Sequence, residues 1–294
     1  MRIVLLFALC ILSSGAAGNL YKQLSEKSRN PADSAAFPIL WYLPLFLLFL
    51  PSVVVGKERT LIPAAIAGGM FLFIAAFLLL ESMKQTSLAA AVIIVNLNFL
   101  IPVILSVTIL KERIALLQLG GMLVSAAAVV ILNLNGSSGK EGRGIRPLLL
   151  PLVACFANGL LNFTIKLNEE AYGGRNAFFA VLYGSAALSA AVFHLICRLR
   201  EGRTKGKKAA SPPLSRRTLL SAVAMAFSNG LCFWTESAIA GQVNAAAQFT
   251  IVTAASIALS LAIGAIWQHE PVRPRTAVSF LACLCAILCQ AVSL

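Results

Sequence analysis

Ten apolar runs of about the same length divide this chain, and they limit its fold more than any other feature. They cover residues 3–21, 35–55, 61–80, 88–110, 116–134, 148–165, 176–197, 218–240, 245–267 and 276–294. A helix crosses a hydrocarbon core roughly 30 Å thick with about 20 residues. Inside lipid the backbone must satisfy its own hydrogen bonds, which leaves only helices and closed barrels. The runs are too long for barrel strands, so the sequence predicts an all-α integral membrane protein with ten transmembrane helices. They take up about two-thirds of the chain, which leaves short connections and places function among the helices. Composition agrees: 59% of residues are apolar and 12% charged, with a mean hydropathy of +0.86. A soluble domain carries about 25% charge, so an ordinary soluble enzyme, a disordered chain and a disulfide scaffold are all excluded. Met1-Arg2, the apolar stretch after it and the small residues 13–18 outline a signal peptide. The run continues through Asn19 to Lys22, however, and the repeat described below needs this helix.

The seven cysteines fall inside or at the ends of apolar runs, the pattern of buried thiols. Cys283, Cys285 and Cys289 cluster in sequence, but no second group of Cys or His completes a tetrahedral set. Neither a metal nor a cofactor is expected.

The 24 basic residues against 11 acidic ones lie in the connections, not on an interleaved basic and aromatic surface, so nucleic acid is not an expected partner. Eight Lys or Arg lie between Arg198 and Arg217. Positive loops stay in the cytoplasm, and alternate sides of the membrane carry 17 and 7 basic residues with this loop on the richer side. That predicts a multi-pass protein of a bacterial plasma membrane, with the 198–217 loop cytoplasmic and both termini outside.

Sliding the chain along itself shows a repeat. At an offset of 144, Ser14, Gly15, Gly18, Lys22 and Glu26 meet Asn158, Gly159, Asn162, Lys166 and Glu170. At 155, Glu81-Ser82 meets Glu236-Ser237, and at 158 Lys111-Glu112 meets His269-Glu270. The chain divides into a first five-helix unit, 1–135, a linker, 136–146, and a second five-helix unit, 147–294. Five is odd, so the second unit enters the membrane upside down. Inverted repeats are a hallmark of transporters, whose substrate site sits near the midplane between the halves.

The stretch from Asn98 through Pro102, Leu110-Lys111-Glu112-Arg113 and Gln118-Leu119-Gly120 resembles an EamA-like unit of the drug/metabolite transporter superfamily. In that family the fourth helix often carries a proline and ends in an acidic turn commonly written Gly-Glu, and a glycine-bearing fifth helix follows. Here Lys111 stands in place of the turn glycine, and the second half keeps Glu270 but has Val278 opposite Gly120. The resemblance implies ten helices in two inverted five-helix repeats and secondary transport of small metabolites. It also implies, for many members, termini in the cytoplasm, opposite to the charge count.

Polar groups in hydrocarbon are costly, about 2.5 to 3.5 kcal/mol for ionisable ones at a helix centre, and so mark candidate sites. Asn158, Asn162 and Lys166 lie at i, i+4 and i+8 on one face of the sixth helix, and Asn19 and Lys22 lie on the corresponding stripe of the first. These stripes are candidates for a central cavity, with lysines at opposite mouths; helix packing with snorkelling lysines is the alternative. Pro102 removes the amide that would bond the carbonyl of Asn98, which predicts a kink beside a polar side chain. Asn96 and Asn98 point about 200° apart, so at most one faces the cavity squarely. Glu81 has Lys84 one turn on, whereas Glu236 has no basic residue within one turn and is the candidate for proton coupling. Trp41, Tyr42, Trp234 and Trp267 are candidate interface anchors. Trp234 is also a candidate for stacking on an aromatic or cationic substrate, and Gln248 for a further polar contact.

A catalytic constellation is missing from the sequence: there is no pair of intramembrane carboxylates, no His cluster and no phosphate-cradling loop. The chain reads as no enzyme but a secondary transporter, monomeric or homodimeric. It would move a small polar or amphipathic metabolite by alternating access, with coupling or gating at Glu236, Glu81, Lys22, Lys166 and Pro102. The competing class is a membrane sensor or scaffold that docks partners through the 198–217 loop.

Overall fold

Asn30 and Pro31 start a helix that Gly56 ends. The Asn30 Oδ1 accepts from the Asp33 amide at 2.8 Å, Pro31 occupies the first turn, and Gly56 adopts φ 66 at the far end. The same local chemistry marks other boundaries: Ser215 caps the amide of Thr218 at 3.2 Å, and Gly173 turns the chain with φ 66.

The computed structural model describes residues 2–28, 30–56, 58–85, 95–133, 146–205, 215–267 and 274–293, and among them every regular element is helical. The α-helices are α1 (Arg2–Lys27), α2 (Pro31–Val55), α3 (Ile62–Gln85), α4 (Leu100–Thr108), α5 (Leu116–Asn133), α6 (Arg146–Ala171), α7 (Arg175–Lys205), α8 (Arg216–Ala240), α9 (Ala245–Trp267) and α10 (Pro274–Val292). Six of them, α1, α2, α3, α6, α7 and α8, are long and apolar enough to cross a membrane. Shorter apolar helical stretches are Leu97–Thr108, Leu116–Ile131, Ala245–Leu259 and Ala277–Val292. Helices α1 and α6 run past the predicted ends of their apolar runs at residues 21 and 165, because backbone hydrogen bonding continues through the polar turn beyond. The predicted linker 136–146 and the first part of the predicted run 88–110 fall almost wholly outside the described residues, as do Glu270 and the middle of the basic loop.

Helix α2 packs along α7 and α8, α3 along α6 and α7, α1 along α8 and α9, α4 against α6 and α9, and α10 against α5 and α9. Small residues allow the closest approaches. A Cβ on Gly69 of α3 would lie 2.2 Å from the Leu182 carbonyl oxygen of α7. Aromatic rings fill the α2–α7 contact, where Tyr183 stacks on Tyr42 at 6.2 Å and on Phe179 at 5.7 Å. Trp41 and Tyr42, expected at the membrane interface, are fully buried in this contact, since the rings of α1, α2 and α7 pack on one another instead of facing headgroups. The outward faces are apolar, with Leu48, Val54, Leu116 and Phe227 among the most exposed side chains. A lipid-facing surface needs no polar cover.

Candidate functional site

Four helices present one stripe each, at i, i+3, i+4 and i+7, to a common cavity of about 210 Å³. Helix α1 supplies Ser14, Ala17, Gly18 and Tyr21; α3 supplies Leu72, Ala75, Ala76 and Leu79; α8 supplies Asn229, Cys232, Phe233 and Glu236; α9 supplies Phe249, Val252, Thr253 and Ser256. Helix α6 adds Asn158 and Asn162, four residues apart, and the segment before α4 adds Asn96 and Asn98.

That segment shows what Pro102 does. The three residues Leu97–Phe99 form a 3₁₀ turn, with the Leu100 amide reaching back to the Leu97 carbonyl, before the α-helical register resumes at Leu100. The tighter turn lets both Asn96 and Asn98 line the cavity, where a straight helix would admit one. Helix α6 approaches so closely that a Cβ on Gly159 would lie 2.6 Å from the Ile101 Cβ and 2.8 Å from the Asn98 carbonyl oxygen. Pro102 itself is buried and does not line the cavity.

Several polar atoms inside are buried without a protein partner: Asn162 Oδ1, Asn229 Nδ2 and Glu236 Oε2. Such groups are costly unless something else binds them. Glu236 is 7% exposed. Its neighbours are thiols, and the donor atoms of Cys10, Cys232 and Glu236 lie within 4.8 Å of one another. Sequence spacing grouped only Cys283, Cys285 and Cys289, which complete no ligand set, and missed this juxtaposition, because Cys10 comes from α1 and the other two from α8.

The end of the bundle where α6 passes to α7 is tied by buried polar contacts. Lys166, expected at a mouth or snorkelling to the interface, is 1% exposed. Its Nζ lies 2.9 Å from both Glu112 and Glu170 and donates to the carbonyl oxygens of Ala240 at 2.6 Å and Val243 at 2.9 Å. The cause is the α8–α9 turn, whose free carbonyls and nearby Glu112 offer the ammonium better partners than the headgroup region. Glu112 also accepts from the Ala245 amide at 2.9 Å, which caps α9. Beside it Glu169 is held by Arg175 at 2.9 and 3.1 Å and by the Ser237 hydroxyl. Gln118 and Asn244 exchange side-chain hydrogen bonds at 3.3 and 3.0 Å, and the Asn168 Oδ1 receives Thr60 Oγ1 and the Leu61 amide at 3.0 Å each.

The remaining predicted residues lie elsewhere. Trp234 turns away from the cavity, donating to the Asn176 Oδ1 at 3.4 Å beneath the Arg175 guanidinium, 5.4 Å from the ring centre. Gln248 is buried behind the cavity wall and donates to the Glu236 carbonyl oxygen at 2.8 Å. Glu81 pairs with Lys84 at 2.6 Å and with the Ser34 hydroxyl at 2.5 Å, near the opposite end. Asn19 and Lys22 belong to α1, but their side chains fall outside those described. Tyr21, Asn229, Phe233 and Phe249 line the cavity and were not predicted. For Asn229 the signal was present, a lone amide in the apolar run that carries Glu236, two turns before it.

The EamA-like transporter family matches residues 1–134. No curated protein matches the chain. One solved crystal structure of a protein is similar with a TM-score of 0.71 at 18% identity, covering 99% of this chain and 96% of that one. At that identity the likeness speaks for the fold.

Proposed function

We propose, from the match of residues 1–134 to the EamA-like transporter family of the drug/metabolite transporter superfamily, that this chain is a secondary transporter of a small polar or amphipathic metabolite, working by alternating access. The observation that carries the reading is the cavity itself. Helices from both halves of the chain build it, and unpartnered polar atoms from α6 and α8 face it.

The packing supports two inverted repeats, 1–135 and 147–294, with ten spans. Exchanging α1–α5 with α6–α10 turns the α1–α8 contact into the α6–α3 contact, and the α4–α6 contact into the α9–α1 contact. The α2–α7 and α5–α10 contacts map onto themselves. Two equivalent rocking halves are what alternating access requires. The ion-paired α6–α7 end then acts as the closed gate of the observed state. By the charge rule the opposite end, which carries the basic loop, faces the cytoplasm.

Asn96, Asn98, Asn158 and Asn162 are the substrate contacts of this reading, and Glu236 is its coupling group. A counterflow screen in proteoliposomes tests it, with pooled labelled amino acids, nucleosides, polyamines and aromatic cations. Flux in the wild type and its loss in Asn98→Ala support the carrier, and loss of the pH dependence of flux in Glu236→Gln supports proton coupling. No flux from any pool, with the protein shown to be folded, refutes the carrier and returns the sensor or scaffold reading.

A further inference from the structure

We infer that the cargo is an organic cation whose protonated amine sits at Glu236, an assignment that rests on the carrier reading above. Glu236 is the one acid among the described residues that line the cavity, and no Lys, Arg or His is among them. Among the described residues, the groups that face Glu236 from its own and neighbouring helices supply no positive charge. Cys232 is on α8, Cys10 and Tyr21 are on α1, Tyr183 on α7 is within electrostatic reach, and the α9 lining residues are uncharged. Lys166 of α6 is already engaged by Glu112 and Glu170. Burying an ionised carboxylate without a counter-ion is expensive, and here the missing counter-ion faces an open cavity.

The unpartnered atoms have a matching polarity. An ammonium has three donors and no acceptor, and Glu236 Oε2 and Asn162 Oδ1 are both free acceptors. Asn229 Nδ2, an unpartnered donor on the cavity wall, suits an oxygen elsewhere on the same molecule. The rings of Tyr21, Phe233 and Phe249 also line the cavity, and aromatic rings can hold a cation and pack an apolar body. An anionic cargo would meet Glu236 with nothing to compensate the repulsion. A neutral cargo would leave Glu236 to a proton and gain nothing from its charge.

The test uses purified full-length protein in nanodiscs and a matched panel: tyramine, hexylamine and 5-aminopentanol as cations, each with its hydroxyl and carboxylate isosteres. Equilibrium binding is read by calorimetry. In the wild type at least one amine should bind tenfold or more tightly than both its isosteres. That ratio should fall to near one in Glu236→Gln and persist in Glu236→Asp, which keeps the charge and guards against a folding artefact. Tighter binding of a neutral or anionic isostere overturns the assignment, as does a tenfold preference that survives Glu236→Gln, or no binding by any amine. Wild-type counterflow of a neutral or anionic solute alongside such a result leaves the carrier standing and removes only the cation. Absence of all flux removes both.

Discussion

Replacing Lys166 with methionine keeps the volume of the stem and deletes the charge of a side chain shared by three segments of the bundle. The ammonium is 1% exposed and serves two carboxylates and two carbonyl oxygens from α6, the α4–α5 connection and the α8–α9 turn. Removing one partner of a buried pair costs about 3 to 5 kcal/mol, because the other charge is left uncompensated. Glu170 is 44% exposed and can turn to water, whereas Glu112 is only 16% exposed, so most of the penalty falls on Glu112. The expected loss is therefore about 3 kcal/mol, near the lower end of that range. For a chain of this size it lowers Tm by roughly 6 °C. Thermal unfolding of purified protein in detergent, at one fixed scan rate, reads the shift. Adding Glu112→Gln removes the orphaned acid, so the double variant should be less destabilised than the two single losses added together, by about 1 to 2 kcal/mol of coupling. A Tm for Lys166→Met within about 1 °C of the wild type would refute the view that this ammonium is a buried hub, as would strict additivity with Glu112→Gln.

Other outcomes follow from the same geometry. Gly159→Ala should lower Tm by several degrees, about 1 to 3 kcal/mol of overpacking, because its Cβ has no room beside Ile101 and Asn98; an unchanged Tm contradicts the close α4–α6 approach. Lys111→Gly should raise stability by about 0.5 to 1 kcal/mol, since Lys111 holds φ 59, a conformation that penalises a Cβ; a lower Tm would mean that the lysine side chain matters more than the backbone. Glu169→Gln should lower Tm in a way that Arg175→Met does not add to in full, because Glu169 is 5% exposed and depends on Arg175 and Ser237; full additivity in thermal unfolding separates the two residues.

Much of the helical content was legible because lipid leaves an apolar run so few choices. A run of about twenty residues must close its own hydrogen bonds; Gly56 ends α2 where the predicted run stops, while the Asn30-Pro31 cap starts it at Pro31, ahead of the predicted start at residue 35. The stripe of Asn158 and Asn162 was legible for the same reason, since spacing fixes which residues share a helical face. Pro102 announced an irregular turn, and the 3₁₀ segment beside it follows from the missing amide.

What spacing leaves open is the rotation of each helix against its neighbours and the identity of its partners, and these only packing decides. Trp234 and Glu236 are two residues apart on α8, yet one faces Asn176 and Arg175 while the other faces the cavity. Gln248 supports a backbone carbonyl instead of facing the cavity. Lys166 is buried because Glu112 and the α8–α9 turn, remote from it in sequence, come to its side. Cys10 meets Cys232 and Glu236 because α1 packs along α8. The sequence by itself determined which segments become helices and which faces are polar, since those depend on local hydrogen bonding and periodicity. Only the tertiary structure decided which polar groups satisfy one another and which are left to bind something else, because that balance is set by contacts between distant segments.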